Sequence, residues 1–122
     1  MEDNLSYMED FKPLTEEEKA LCFQVADIIN AQVAVPCTGC SYCTDGCPMK
    51  IAIPQYFSLY NDNRRENMEE KGWTVSFSIY DNLVEKFGKA KDCVGCGQCE
   101  GVCPQHLPII EYLKKVSAHY DH

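Results

Sequence analysis

Eight of the nine cysteines fall into two runs of identical spacing. The first reads Cys37-x2-Cys40-x2-Cys43-x3-Cys47-Pro48, and the second Cys93-x2-Cys96-x2-Cys99-x3-Cys103-Pro104. Three thiolates at positions i, i+3 and i+6 can curl around one metal core, each reaching a different iron. A fourth, four residues on, points away and is fixed by the proline that follows. This is the spacing of thiolate-bound [4Fe–4S] clusters, so the two runs predict two such clusters. Zinc is the bland alternative, but its sites usually pair ligands across a longer spacer. Disulfides formed on air oxidation are the other.

Where two such runs share a chain, the fourth cysteine of each ligates the other cluster. That rule assigns Cys37, Cys40, Cys43 and Cys103 to one cluster, and Cys93, Cys96, Cys99 and Cys47 to the other. The exchange would tie the two halves of the chain together. Gly39, Gly46, Gly95, Gly97 and Gly101 fall inside the runs, as expected for tight loops that aim backbone N–H groups at sulfur. Val94, Val102, Ile51 and Ile53 would limit water access and so tune the potential. Outside the runs, Cys22 reads as a buried small hydrophobe. His106 reads as a surface or capping residue, and His119 and His122 carry no assigned role. Tyr42 and Trp73 read as packing residues, and Arg64-Arg65 as a solvated pair in a loop. No catalytic residue is expected.

The N-terminus, Met1-Glu2-Asp3-Asn4, has neither a basic segment nor an apolar one. It therefore predicts no signal peptide and a cytoplasmic chain, where closely spaced cysteines mean metal or redox chemistry. No apolar stretch approaches a membrane-spanning length, so no membrane insertion is expected. The net charge is −8, from 19 acids and 11 bases, which argues against nucleic acid as a partner. Eight thiolates and two 2+ cores would take the charge to about −12. Hydrophobic residues make up 45% of the 122, enough for one small domain in which bound metal supplements the core.

The elements between the runs read as helices. Residues 1–14 form an irregular lead-in, and a helix follows from Thr15 to about Gln32, opened by a Thr15/Glu18 capping box. Residues 1–34 thus precede a two-cluster region over 35–122. A short helix starts near Pro54 and covers Gln55 to Tyr60. Residues 61–72 are polar and read as a loop or frayed helix ending at Gly72. Over 73–87, Trp73, Phe77, Tyr80, Val84 and Phe87 repeat at helical spacing, with Gly88 placed as a C-cap. A last helix from Pro108 carries Ile109, Leu113, Val116 and Tyr120 on one face. The halves repeat, with Cys37 and Cys93 placed 56 residues apart. The fold class predicted is all-α, a helical bundle around two cysteine loops. The alternative is the α+β form of compact bacterial two-cluster ferredoxins.

Several stretches, flanks included, resemble a known family. Asp10-Phe-Lys-Pro-Leu14, Val35-Pro-Cys-Thr-Gly-Cys-Ser-Tyr-Cys43, the Ile53-Pro54 to Tyr60-Asn61 segment and Cys96-Gly-Gln-Cys-Glu-Gly-Val-Cys-Pro-Gln105 are similar to the C-terminal iron–sulfur region of the aldo/keto reductase family. In that family the region follows an NADP(H)-binding (β/α)8 barrel. A barrel takes about 250 residues, and no nucleotide-binding glycine loop is present here. The resemblance therefore implies an excised or separately encoded electron-transfer domain that serves a reductase barrel or another redox enzyme, and it carries over no reductase activity. The 45 residues between Cys47 and Cys93 are also similar in length to the helical connections of α-helical ferredoxins in larger enzymes. Two rival readings remain. One is a structural or interaction module in which metal serves as a staple. The other is a subunit of a heterodisulfide reductase-like complex.

Overall fold

The computed structural model describes residues 2–9, 11–66 and 74–121. The chain forms two compact units, Met1–Ala31 and Gln32–His122. Its helices are α1 (Glu2–Glu9), α2 (Glu16–Ala31), α3 (Ile53–Arg65), α4 (Val75–Val84), α5 (Gln98–Gly101) and α6 (Ile109–Tyr120), with a 3₁₀ turn at Ala90–Asp92. Among the described residues there is no strand, only an isolated parallel bridge between Ile51 and Gly88. The architecture is all-α, as the helical spacing predicts.

In the first unit, α2 opens as its sequence requires. The Glu18 N–H donates to Thr15 Oγ1 at 3.2 Å and the Thr15 N–H to Glu18 Oε2 at 2.8 Å, so two otherwise orphaned donors are satisfied reciprocally. Lys19 pairs with Glu16 at 2.8 Å one turn away. The irregular lead-in expected over 1–14 is corrected in part, because Glu2–Glu9 is helical, with Glu2 and Asp3 complementing the dipole of its first turn. Neither helix buries a residue. Cys22, expected inside, is exposed, as are Leu5, Tyr7, Met8 and Phe11.

In the second unit, Pro54 sits in the first turn of α3, where its missing N–H costs nothing. The helix runs past Tyr60 to Arg65, so of the loop or frayed, exposed helix expected from residue 61 the helical alternative holds to Arg65, but it is neither frayed nor wholly exposed there. The polar residues there are structural: Asn61 and Asn63 are 7% and 3% exposed. Asn63 Nδ2 donates to Ser76 Oγ at 2.9 Å. Arg65 meets Asp62 at 3.6 Å and, with Arg64, suits the negative helix end. The rest of that expected loop, 67–72, and Trp73 lie outside the described residues. So does His122. Helix α4 ends at Val84 with Glu85 as its cap, not at Gly88. Gly88 is required for a different reason. Its N–H donates to the Lys50 carbonyl at 3.2 Å, and a Cβ there would collide with the Met49 carbonyl oxygen.

The core gathers on α6, whose Ile109, Leu113, Val116 and Tyr120 are all buried. Tyr80 stacks on Tyr120 with ring centres 4.8 Å apart and meets Tyr56 at 4.9 Å. The polar ends of these rings are used. Tyr56 donates to the Gly88 carbonyl at 2.8 Å and Tyr120 to the Leu59 carbonyl at 3.2 Å. Tyr80 donates to Asp121 Oδ1 at 3.0 Å and accepts the Ala90 N–H at 3.0 Å. Burial pushes the Tyr56 hydroxyl up to about 12 and raises that of Tyr80 as well. Both rings therefore stay neutral donors at any physiological pH.

The internal repeat extends to the backbone. Among the described residues, the left-handed positions of this unit come in three pairs, each 56 residues apart: Gly39 and Gly95, Ser41 and Gly97, Lys50 and His106. Turn bonds repeat at the same interval, as in Lys50 N–H to the Cys47 carbonyl and His106 N–H to the Cys103 carbonyl, both 3.0 Å. Each half also anchors the segment that enters its cysteine run. The Asn61 side chain brackets the Val35 peptide with two 2.8 Å bonds, and Asp121 Oδ2 accepts the Lys91 N–H at 2.9 Å. Val35 and Lys91 each stand two residues before a run's first cysteine.

Replacing Asn61 by Ala leaves a buried N–H and a buried carbonyl unpaired. The cluster-loaded protein is expected to lose roughly 2–4 kcal/mol in anaerobic urea unfolding; an unchanged midpoint would refute the anchoring role. Gly88→Ala should cost about 1–3 kcal/mol by overpacking against the 49–51 backbone, read in the same titration.

Candidate metal centre

The two cysteine loops are built by backbone turns rather than by helix or sheet. In the first, Ser41 has a φ of 65° and its carbonyl accepts both the Thr44 N–H at 3.1 Å and the Thr44 hydroxyl at 2.7 Å. The Gly39 N–H points at Cys37 Sγ, 3.4 Å away, a backbone donor of the kind that tunes cluster potentials. In the second, Gly97 opens the short helix α5 at a φ of 76°. Only three of the five glycines in the runs take positive φ; Gly46 and Gly101 do not. Glu100 ties this loop to the core, its Oε1 accepting the Ile110 N–H at 2.9 Å. An otherwise orphaned donor in the first turn of α6 is thereby satisfied.

The eight cysteines surround two cavities. One, about 340 Å³ with its open mouth included, is lined by Cys37, Cys40, Cys43 and Cys103. The other, about 320 Å³ on the same measure, is lined by Cys47, Cys93, Cys96 and Cys99. Each takes three cysteines from one run and the last from the other. Ile53, 1% exposed, lines both. The remaining walls are largely apolar, with Phe57, Leu107 and Ile109 around the first cavity and Ile51, Ile110 and Leu113 around the second. Neither lining includes Asp, Glu or His. Among the described residues no three Cys, His, Asp or Glu side chains converge as the ligands of a single ion would. The thiols stand around a space, which suits a group with a volume of its own. Four soft sulfur donors in an apolar chamber fit an iron–sulfur cluster.

Burial separates the thiols. Cys43 and Cys99 are each 7% exposed, whereas Cys40 and Cys96 are exposed. Burial, with the neighbouring thiols adding to it, pushes the Cys43 thiol up to about 11. Burial likewise raises Cys99, with Glu100 and Cys93 contributing. Such sites give up their protons when a cationic core arrives to stabilise the thiolates. All nine cysteines are free of disulfides.

Some expectations about the surroundings change. Ile51 and Ile53 do seal the interior, but Val94 and Val102 are 62% and 52% exposed. Val94 reaches only the lining of the second cavity, and Val102 lines neither. Tyr42, read as a packing residue, is 66% exposed, because the loop around it turns its ring away from the core. His106 is exposed in a left-handed turn, and His119 packs on the rings of Tyr60 and Phe77. Sequence reading missed Asn61, Glu100 and Asp121. Each is a polar residue whose role is a bond to a distant backbone group, and no local pattern marks it.

Comparison with known proteins places the chain. Residues 36–107 match the 4Fe-4S dicluster domain family. Three relatives illustrate its setting. A subunit of the ion-translocating oxidoreductase complex of Buchnera aphidicola is 28% identical over 63% of this chain and 13% of its own length. The acetyl-CoA decarbonylase/synthase complex subunit alpha 1 of Methanosarcina acetivorans is 26% identical over 66% of this chain and 8% of its own. The F420-dependent formate dehydrogenase subunit beta of Methanocaldococcus jannaschii is 30% identical over 60% and 18%. The chain thus spans less than a fifth of the length of these relatives. No solved structure gives a significant match. Matched over more than half its length, with eight thiols divided between two cavities, the chain belongs to the 4Fe-4S dicluster domain family: it is an iron–sulfur electron-transfer module whose cofactors are two [4Fe–4S] clusters.

Proposed function

We propose that Cys37, Cys40, Cys43 and Cys103 hold one cluster, that Cys93, Cys96, Cys99 and Cys47 hold the other, and that the module serves an aldo/keto reductase-like barrel. The observation that carries the ligand sets is the lining of the cavities, each drawing its fourth cysteine from the opposite run. When bound, each cluster supplies one-electron redox chemistry. The chain's own part is to hold the sulfurs, to exclude water with Ile51, Ile53 and Leu113, and to aim N–H groups such as that of Gly39 at them. It supplies no catalytic residue of its own.

The barrel partner is supported by the flanks of the cysteine runs, which resemble the aldo/keto reductase family outside the ligands themselves. The relatives, of which the matched region is a small part, support a place within a larger redox protein or complex and are silent on a barrel. On this reading residues 35–122 are the cluster-bearing domain and 1–34 its N-terminal extension. Nine disulfide-free cysteines suit a reducing, cytoplasmic setting. A second reading, as a subunit of a multi-subunit oxidoreductase of heterodisulfide reductase-like type, is favoured by relatives that are themselves named as subunits of complexes. Co-purification of a partner from native material separates the two. A metal-stapled structural module is the remaining rival.

Anaerobic analysis should find about eight iron and eight sulfide per chain, with a visible absorbance that bleaches and an EPR signal that appears on one-electron reduction. Zinc held firmly by natively sourced, oxygen-protected protein would overturn the redox function. Serine replacements test the ligand sets. Cys103→Ser should alter the same EPR features as Cys40→Ser, and Cys47→Ser the same as Cys96→Ser. The exchange is refuted if Cys103→Ser instead matches Cys96→Ser.

A further inference from the structure

Lys91 and Lys114 flank a groove beside one of the two cavities. The groove measures about 640 Å³, open mouth included, and is walled by Ala90 and Lys91 of the 3₁₀ turn, by Cys93, and by Ile110, Lys114 and Ser117 of α6. Cys93 and Ile110 also line the cavity of the 93–99 run, so groove and cavity share a wall. The cavity of the 37–43 run shares no lining residue with it. The two chambers therefore differ in their relation to this groove, although each has one exposed thiol, Cys40 or Cys96.

The groove is basic on an acidic molecule. Both lysines are exposed, and among the described residues neither ammonium is paired with a carboxylate. Glu111, three residues before Lys114 on α6, is not among the lining residues, and Asp92 and Asp121 are held in hydrogen bonds to backbone and tyrosine groups. Asp92 accepts the Lys89 N–H at 3.1 Å, and Asp121 accepts the Tyr80 hydroxyl and the Lys91 N–H. Neither lines the groove. The net charge, −8 for the chain and about −12 with two clusters, repels anions at a distance, but screening at physiological ionic strength cuts that field off within about 8 Å. At contact, the local sign decides.

We infer that this groove is the port through which the module exchanges electrons with its partner, and that the partner is a protein presenting carboxylates around its own one-electron redox group. The inference rests on the electron-transfer function stated above. One electron crosses per encounter; no bond is made or broken and no proton moves. Electrons enter or leave on the side of the 93–99 run, and the 37–43 run lies behind it.

Charged probes test this on the loaded, anaerobically reduced protein. Ferricyanide, an anionic oxidant, accepts one electron and becomes ferrocyanide. The Lys91→Glu/Lys114→Glu variant should be oxidised by it roughly tenfold more slowly than wild type, and faster by the cationic oxidant hexaamminecobalt(III). Lys12→Glu/Lys19→Glu, which changes the net charge equally in the first unit, should leave both rates close to wild type. Poly-L-glutamate should slow ferricyanide oxidation of wild type and not of the Lys91/Lys114 variant. A binding readout accompanies the rates: the redox-inert paramagnet hexacyanochromate(III) should broaden the NMR signals of Lys114, Ser117 and Ala118. Equal rate changes in the two double variants, or broadening centred elsewhere, would overturn the port. A wild type that takes up no iron or sulfide would instead remove the electron-transfer function beneath it.

Discussion

Everything in the second unit follows from one constraint: each cavity needs walls from both cysteine runs. Three positions of a run lie within a single loop and are close in sequence. The fourth faces the other chamber, so neither chamber is complete until Cys47 and Cys103 have been delivered across the unit. The helices are the means of delivery. Helix α3 follows Cys47 and α6 follows Cys103, each entered through a left-handed turn residue, Lys50 or His106, at the same interval. Polar anchors then fix where each run begins: Asn61 holds Val35 and Asp121 holds Lys91. The aromatic stack of Tyr56, Tyr80 and Tyr120 locks α3, α4 and α6 together.

Much of this was written locally and so was legible. The cysteine spacing, the Thr15/Glu18 box, Pro54 at the head of α3 and the Ile109, Leu113, Val116, Tyr120 face of α6 are short-range patterns. What escaped reading was non-local. The stretch after Tyr60 is polar and reads as a loop or frayed, exposed helix, yet Asn61 and Asn63 are buried: Val35 pairs both ends of the Asn61 amide, and Ser76 accepts from Asn63 Nδ2 while Asn63 Oδ1 has no partner among the described residues. Gly88 reads as a helix cap, but the demand on it comes from the Met49 carbonyl, some forty positions earlier in sequence. Cys22 and Tyr42 were assigned to the interior on residue type alone, and type does not say which face meets the core. The grouping of the motif cysteines around two cavities follows the opposite logic. A motif with fixed spacing encodes three-dimensional contact directly, so the eight thiols were the most readable feature of the chain.

The repeat also shows where the halves have diverged. Ser41 and Gly97 occupy matching left-handed positions, at φ values of 65° and 76°. Glycine adopts this conformation without penalty, whereas for serine the Cβ costs about 1–2 kcal/mol. The Ser41 hydroxyl returns some of that by donating to the Gly39 carbonyl at 3.3 Å. The entry anchors differ as well, an amide in one half and a carboxylate in the other. Two copies of one backbone plan thus sit in different electrostatic surroundings.

Ile53 belongs to the walls of both chambers. Clusters held in the two chambers would face each other across this hydrocarbon partition. Charge added on one side is felt on the other through a medium of low permittivity. The second reduction would then be harder than the first, and measured midpoints would describe the pair as a whole rather than either centre alone. The side chain of Ile53 would form part of the partition between the centres that take those two steps.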